Sequence, residues 1–310
     1  MLFKILVVTQ SKDVTVDYLI STYSDYIYWF RINVDQLDDY QIQVTNEGVI
    51  LAKGNIWSIS SSCIDAVYYR KISLPDLSSY ESHYIPMMQR DIMNFIEGIV
   101  ETFDKPCITK PSILRKAENK IVQLNIASSL GFQIPQSLIT NDEVSAYQFC
   151  QEKTSIVKPL STGRVKVPGG WEIIQTNVVN REHAVSGLSH APSYFQTYVE
   201  KSEGEYRVTI VGRTVYAVRI DSSNTIDWRR KNAENFYQTV EIPIHIIELC
   251  YRLMDELKIT FGAFDFIKMG DEYYFLEVNP NGQWLWLEEK VGIPISQSII
   301  NQLIKDVHLT

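Results

Sequence analysis

The stretch Phe261-Gly262-Ala263-Phe264-Asp265-Phe266-Ile267-Lys268-Met269-Gly270-Asp271-Glu272-Tyr273-Tyr274-Phe275-Leu276-Glu277-Val278-Asn279-Pro280-Asn281-Gly282 has the pattern of two strands around a turn at Gly270. Side chains alternate across a strand, so Phe264, Phe266, Leu276 and Val278 are expected on the core face and Asp265, Glu277 and Asn279 on the other. Register decides whether the carboxylates meet. A three-residue turn, Gly270-Asp271-Glu272, sets Asp265 opposite Glu277, whereas a two-residue turn sends them to opposite faces. Three oxygen-bearing side chains on one face suit magnesium, a hard cation that takes carboxylate ligands and completes its octahedron with water and nucleotide phosphates. The plain alternative is a solvated polar face. An Asp and a Glu set among aromatic and aliphatic neighbours, with an Asn two residues after the Glu, favour the metal site.

Around this hairpin lie 310 residues, 45% apolar and 21% charged, enough for about two domains with cores of their own. No apolar run approaches the roughly 18 residues of a membrane-spanning helix, and Met1 to Val8 is interrupted by Lys4, so a cytoplasmic protein without a membrane partner is expected. Cys63, Cys107, Cys150 and Cys250 show neither zinc spacing nor disulfide density. A net charge of -8 argues against a nucleic-acid partner, since phosphate neutralisation needs a basic surface. Anionic ligands must then be met by local clusters such as Arg229-Arg230-Lys231 or Arg70-Lys71. His83, His183, His190, His245 and His308 form no catalytic constellation, and GxSxG, GxxxxGK[ST] and GxGxxG motifs are missing.

The apolar run Phe3 to Thr9 reads as a strand buried on both faces, followed by a helix over Asp13 to Tyr23 and a strand over Ile27 to Asn33. Gln41 to Lys53 reads as a hairpin, Asp65 to Arg70 as a strand, and Met87 to Phe103 as a helix. A single helix is expected from Ser112 to Leu130, stopped by Gly131. Strands follow over Ser155 to Lys158, Trp171 to Thr176 and Tyr194 to Val199, then a hairpin over Tyr206 to Ile220 and a helix over Ile244 to Leu257. The expected class is α/β (α+β), divided as an N-terminal open α/β domain over 1–105, a central part over 106–190 and a C-terminal part over 191–310.

With Asp265, Glu277 and Asn279 in this order, the chain resembles the ATP-grasp superfamily, whose Asp and Glu-x-Asn supply the magnesium ligands. The resemblance implies an ATP-grasp fold, ATP and Mg2+ as cofactors, and a pre-ATP-grasp domain at the N-terminus. It further implies that Lys120 and Lys158 meet the α- and β-phosphates, where water-excluded cations act most strongly. Gln196 is expected to accept from the adenine amino group, the backbone of Tyr198 and Val199 to read the adenine edge, and Glu205 to bind ribose hydroxyls. The lid segment Ser161-Thr162-Gly163-Arg164-Val165-Lys166-Val167-Pro168-Gly169-Gly170 is poorer in glycine than the family's, with Arg164 and Lys166 offered in compensation.

The opening Ile5-Leu6-Val7-Val8-Thr9-Gln10-Ser11, the triplet Asp227-Trp228-Arg229 and the closing Glu277-Val278-Asn279-Pro280-Asn281-Gly282-Gln283-Trp284 resemble the microviridin-type peptide macrocyclases, which make graspetides. That resemblance implies phosphorylation of Asp or Glu side chains of a ribosomally made precursor peptide. Attack by Thr or Ser hydroxyls gives an ω-ester, or by a Lys amine an ω-amide, with ADP and phosphate released. The partner is a precursor with a leader and an acidic core, and family habit suggests a homodimer. Arg219 and Arg229 are the first candidates beside the acyl phosphate, with Arg207 and Arg230 behind them, because an Arg fork binds carboxylate or phosphate bidentately. Arg70 and Lys71 are possible leader contacts, and Trp284 and Trp286 possible walls of a peptide groove. Two readings compete: a glutamate-ligase-like enzyme that adds an amino acid to a peptide carboxylate, and a non-catalytic subunit that binds ATP and peptide.

Overall fold

Strand β1 (Phe3–Thr9) is buried from Ile5 onward, as its unbroken apolar run requires. The computed structural model describes residues 2–305 apart from residues 162, 168–169, 175, 180–186, 225, 227 and 230–232. Helix α1 (Val14–Tyr23) begins at Asp13, whose carboxylate accepts from the Thr15 N–H at 3.2 Å, and it buries Val16 and Leu19. Strand β2 (Ile27–Asn33) runs parallel to β1. The expected hairpin is β3 (Gln41–Thr45) and β4 (Gly48–Lys53), and an adjoining strand β5 (Trp57–Ser60), unmarked in the sequence pattern, makes it a three-stranded sheet. Strand β6 (Ala66–Tyr69), helix α2 (Ile85–Thr102) and strand β7 (Cys107–Ile108) follow, and a parallel sheet forms in the order β2-β1-β6-β7. Leu6, Val8, Phe30, Val67, Ile96 and Val100 lie in its core.

The single helix expected from Ser112 to Leu130 is two, α3 (Pro111–Ala117) and α4 (Lys120–Leu130). The break is a cap: Asn119 is extended, and its side chain accepts from the N–H groups of Ile121 and Val122 at 3.0 and 3.2 Å. Gly131, at φ +89°, ends α4 as expected.

Next come β8 (Ser137–Thr140), α5 (Glu143–Glu152), β9 (Ser155–Lys158), β10 (Arg164–Val167), β11 (Gly170–Ile173), β12 (Asn177–Val179) and β13 (Ser193–Thr197). The strand expected over Trp171 to Thr176 is β11, which pairs with β10 in a separate two-stranded hairpin, while β12 joins a sheet ordered β12-β9-β13-β8. Strands β14 (Glu205–Val211), β15 (Thr214–Ser222) and β16 (Asn235–Thr239), helix α6 (Ile244–Leu257) and strands β17 (Phe261–Met269) and β18 (Glu272–Asn279) complete a sheet ordered β16-β15-β14-β17-β18. The apolar stripe of α6, including Cys250, Leu253 and Leu257, is buried as expected. Helices α7 (Leu285–Val291) and α8 (Ile295–Ile304) end the described chain.

Contacts divide the molecule into one unit of residues 1–115, 259–261 and 281–310 and another of residues 116–258 and 262–280. The unit that holds the N-terminal sheet also takes in the chain from residue 281 onward, a grouping that chain order alone does not reveal.

The β17–β18 turn is the two-residue one, Gly270-Asp271, with Met269 opposite Glu272. That turn alone misaligns the carboxylates, yet Asp265 does face Glu277, because the ladder shifts by one between Asp265 and Phe266. Phe266 pairs with Phe275 and Asp265 with Glu277, so Leu276 is the extra residue of a β-bulge. Phe275 thereby takes the core position expected of Leu276; Phe264, Phe266, Phe275 and Val278 are all nearly or wholly inaccessible.

Candidate active site

An open cleft of about 660 Å³ lies in the second unit, bounded by β9, the end of β13, the start of β14 and the β17–β18 hairpin. Lys158, Gln196, Tyr198, Val199, Glu205, Arg229, Asp265 and Glu277 all line it, so eight residues singled out in the sequence share one cavity. Lys120, the first residue of α4, reaches the same hairpin: its Nζ donates to Glu277 Oε2 at 2.8 Å.

The cap at Asn119 and the side chain of Gln123 together fix that lysine. Gln123 is buried and clamps α4 to β18, accepting from the Val278 N–H at 3.0 Å and donating to the Val278 carbonyl at 2.8 Å and the Ala117 carbonyl at 2.6 Å. Gln123 is not legible in the sequence, because a lone Gln on a helix carries no pattern. Burial disfavours ionised Glu277, but Lys120 and Lys158 outweigh it and hold the carboxyl down at about 2.

Asp265 is only 7% exposed. Burial pushes its carboxyl up, while Arg207 and Arg229 pull it down. Arg207 Nε lies 3.1 Å from Oδ1 and Arg229 Nη2 3.5 Å from Oδ2, so two guanidiniums bracket one carboxylate. Asn279 pairs with Ala263 and lies on the Glu277 side of β18 by alternation. Two carboxylates and an amide on one face of a rigid hairpin are a hard oxygen donor set that fits magnesium, leaving positions for water and phosphate oxygens. Among the described residues no three His, Cys, Asp or Glu side chains gather into a metal-holding group, so this set depends on the asparagine.

Burial draws the Lys158 ammonium down to about 8 against the upward pull of Glu277. Its Nζ sits 4.5 Å above the centre of the Tyr194 ring and donates to Gln196 Oε1 at 3.1 Å. The Gln196 amide nitrogen donates to Ser137 Oγ at 3.0 Å and Tyr194 OH at 3.2 Å. Gln196 is thus fully inaccessible and its acceptor is engaged by Lys158, which removes the expected bond to an adenine amino group. Similarly, the Tyr198 N–H donates to the Thr154 carbonyl at 2.9 Å, leaving Val199 as the better candidate for an adenine edge. Glu205, pushed up by burial and pulled down by Lys201, is held by that lysine at 2.6 Å.

Arg219 is not brought to the cleft. It pairs across the sheet with Tyr206, so it lies on the face opposite Arg207, where its Nε and Nη2 donate to Asp221 Oδ1 at 2.9 and 2.8 Å. Choosing arginines by position in the chain ignores the two-residue period, and Arg207 and Arg219 have opposite parity in this pairing. Arg230 and Asp227 lie outside the described residues, as do lid residues 162, 168 and 169 and the side chains of Arg164 and Lys166. Arg70 is 1% exposed and Trp284 wholly buried, so neither offers a peptide-binding surface.

Residues 117–303 match the RimK-like ATP-grasp domain family. The chain belongs to this family. Its mixed α/β architecture is the ATP-grasp fold. The chain is similar over 98% of its length to a RiPP-associated ATP-grasp ligase of Chryseobacterium gregarium in complex with ADP and a leader and core peptide, at 28% identity, 97% coverage of that chain and a TM-score of 0.87. It is similar also to the Microcystis aeruginosa macrocyclase MdnC bound with precursor peptide MdnA, at 26% identity, 98% and 100% coverage and a TM-score of 0.87. For macrocyclase MdnB of the same organism the values are 26%, 97% and 99%, and 0.82. An uncharacterised protein of Methanocaldococcus jannaschii is 20% identical over 217 residues, 69% of this chain but 53% of that protein, so the chain spans about half of that relative's length. Among the described residues no helix is long and apolar enough to cross a membrane.

Proposed function

We propose that this protein is a peptide macrocyclase of the microviridin type, using ATP and Mg2+. What carries this reading is the likeness, along nearly the whole chain, to ligases complexed with ADP or with leader, core or precursor peptides. The cleft supports it, because carboxylate activation needs positioned cations and no protein nucleophile.

Lys120 and Lys158 bind the phosphates, Val199 and the adjoining Tyr198 frame adenine, and Glu205 takes the ribose hydroxyls. Gln196 positions Lys158 rather than touching the base. Asp265, Glu277 and Asn279 would hold magnesium, which when bound offsets phosphate charge. A peptide Asp or Glu oxygen attacks the γ-phosphorus and ADP leaves, giving an acyl phosphate on the peptide. A Thr or Ser hydroxyl, or a Lys amine, then attacks the acyl carbon, loses its proton and expels phosphate. Each ring removes one water from the peptide. Arg207 and Arg229, already around Asp265, stabilise the charge that develops there.

The partner is a precursor with a leader and an acidic core, met in the cytoplasm, and the ligase works as a homodimer, which sedimentation of the purified protein checks. The deciding experiment is the intact mass of the precursor after incubation with the protein, ATP and magnesium. Loss of water with release of ADP and phosphate is expected, and hydroxylamine sensitivity separates esters from amides. Gain of an amino-acid mass replaces this proposal with the chain-extending reading. Unchanged mass without ATP turnover replaces it with a binding subunit. Glu277→Ala should abolish ring formation in a protein that remains folded.

A further inference from the structure

Lys201 carries no role in the motifs above, yet its ammonium is among the most constrained in the cleft. It lies in the turn between β13 and β14, closed by the Gly204 N–H donating to the Lys201 carbonyl at 3.2 Å. Gly204 has φ +84°, and a Cβ there would stand 2.8 Å from Asp221 Oδ1, so the turn requires glycine. From it Lys201 Nζ donates at 2.6 Å to Glu205 Oε1 and at 2.6 Å to the Ile226 carbonyl. The lysine side chain is 12% exposed.

Ile226 belongs to the segment joining β15 to β16, which also carries Arg229. Its neck is closed by Ser223 N–H donating to the Glu234 carbonyl and Glu234 N–H to Ser223 Oγ, both at 2.9 Å. Asn235 Nδ2 holds the Trp228 carbonyl at 2.9 Å. The Arg229 side chain is 49% exposed at its 3.5 Å approach to Asp265. The guanidinium also lies 5.2 Å from the centre of the Trp228 ring, so its place depends on the backbone that carries Trp228 and Arg229 together.

We propose that Lys201 is a positioning residue that ties the Ile226 carbonyl to Glu205 and thereby sets Arg229 against Asp265. The proposal rests on the macrocyclase reading only in giving Arg229 a part in the chemistry. Lysine suits this work because an ammonium has three donors and can serve a carboxylate and a carbonyl together. Lys201 thus links the nucleotide end of the cleft to the end where the acyl phosphate forms.

The test is a double-mutant cycle of Lys201→Met and Arg229→Met, read as kcat at saturating ATP and precursor, with ADP affinity measured in parallel. Each single variant should lose about tenfold or more in kcat, the scale on which small misplacements act. The double variant should be no slower than the worse single one, because both remove one interaction. Losses that multiply, or an unchanged kcat in Lys201→Met beside an impaired Arg229→Met, overturn the proposal. Lys201→Gln, which keeps a donor for the Ile226 carbonyl, should fall between wild type and Lys201→Met; a Gln variant as slow as the Met variant contradicts the pin. Trypsin cleavage after Arg229 reads the pin without turnover: Lys201→Met should be cut faster than wild type, and equal rates reject the proposal. If Arg229→Met retains full kcat while cleavage is accelerated, the pin stands and the assigned role of Arg229 falls.

Discussion

Lys158 carries two opposite dependences on pH. Burial lowers its pKa from 10.5 to about 8, so the native protein gives up this proton earlier than the unfolded chain does. Between about pH 8 and 10.5 the unfolded state holds more protons, and the stability of the nucleotide-free protein rises with pH across that window as far as this group is concerned. Phosphate binding needs the ammonium, and kcat/KM reports the free enzyme. We therefore expect kcat/KM for ATP to fall above about pH 8, and Lys158→Met to lower it throughout and remove that descending limb. Steady-state kinetics and urea unfolding over the same pH series check both signs; parallel movement of the two refutes the assignment. Gln196→Leu, which strips the acceptor from Lys158 and leaves the Tyr194 ring in place, should raise KM for ATP.

At the scale of elements, α4 and the β17–β18 hairpin hold the site. Asn119→Ala should cost about 1 kcal/mol of stability, the usual loss of an N-cap, and should raise KM for ATP because Lys120 is the first residue of the helix it caps. Unfolding and KM measured together check this; a stability loss with unchanged KM detaches Lys120 from the nucleotide. In the hairpin, deletion of Leu276 should remove the bulge yet keep Asp265 opposite Glu277, since Phe266 already faces Phe275. Such a deletion should fold and weaken ADP binding, because Leu276 lines the cleft. A deletion variant that binds ADP as well as wild type would show that this wall does not touch the nucleotide.

The hairpin also shows how far the sequence could be read. Alternation around Asp265 and Glu277 puts the two carboxylates on one face, and that survives, but Leu276, expected in the core, lines the cleft instead. The turn length did not follow, because a bulge and a shorter turn give the same pairing as a longer turn with no bulge. Likewise, the 3.6-residue pattern from Ser112 to Leu130 is continuous through Asn119, and only the side-chain bond to the next two N–H groups reveals the break. Position in the chain puts Arg219 ahead of Arg207, and only the β14–β15 register reveals that they lie on opposite faces. Lys201 was invisible because its carbonyl partner, Ile226, has no side-chain signature.

At the scale of the whole molecule, the N-terminal sheet is closed by the end of the chain through a buried polar network. Arg70 Nε donates to Asp13 Oδ2 at 2.8 Å, Nη1 to Tyr68 OH at 2.9 Å and Nη2 to Gln283 Oε1 at 2.9 Å. Thr9 Oγ1 also donates to Asp13 at 2.8 Å, and Thr15 Oγ1 to Gln283 at 3.0 Å. Both charged side chains are 1% exposed. Removing one member of such a pair strands the other charge, at a cost of about 3–5 kcal/mol, whereas replacing both by apolar groups costs far less. Asp13→Leu alone should therefore destabilise the N-terminal unit more than Asp13→Leu combined with Arg70→Met, even though the double variant loses more hydrogen bonds. Urea unfolding of the three proteins measures it. Gln283 follows the Glu277-Val278-Asn279 strand by four residues and ties α7 to the same arginine, so Gln283→Ala should speed amide exchange in α7 and α8 more than in β1 or β6. Equal exchange in all four elements would mean that burial of Leu287, Ile299 and Leu303, rather than the network, holds the end of the chain in place.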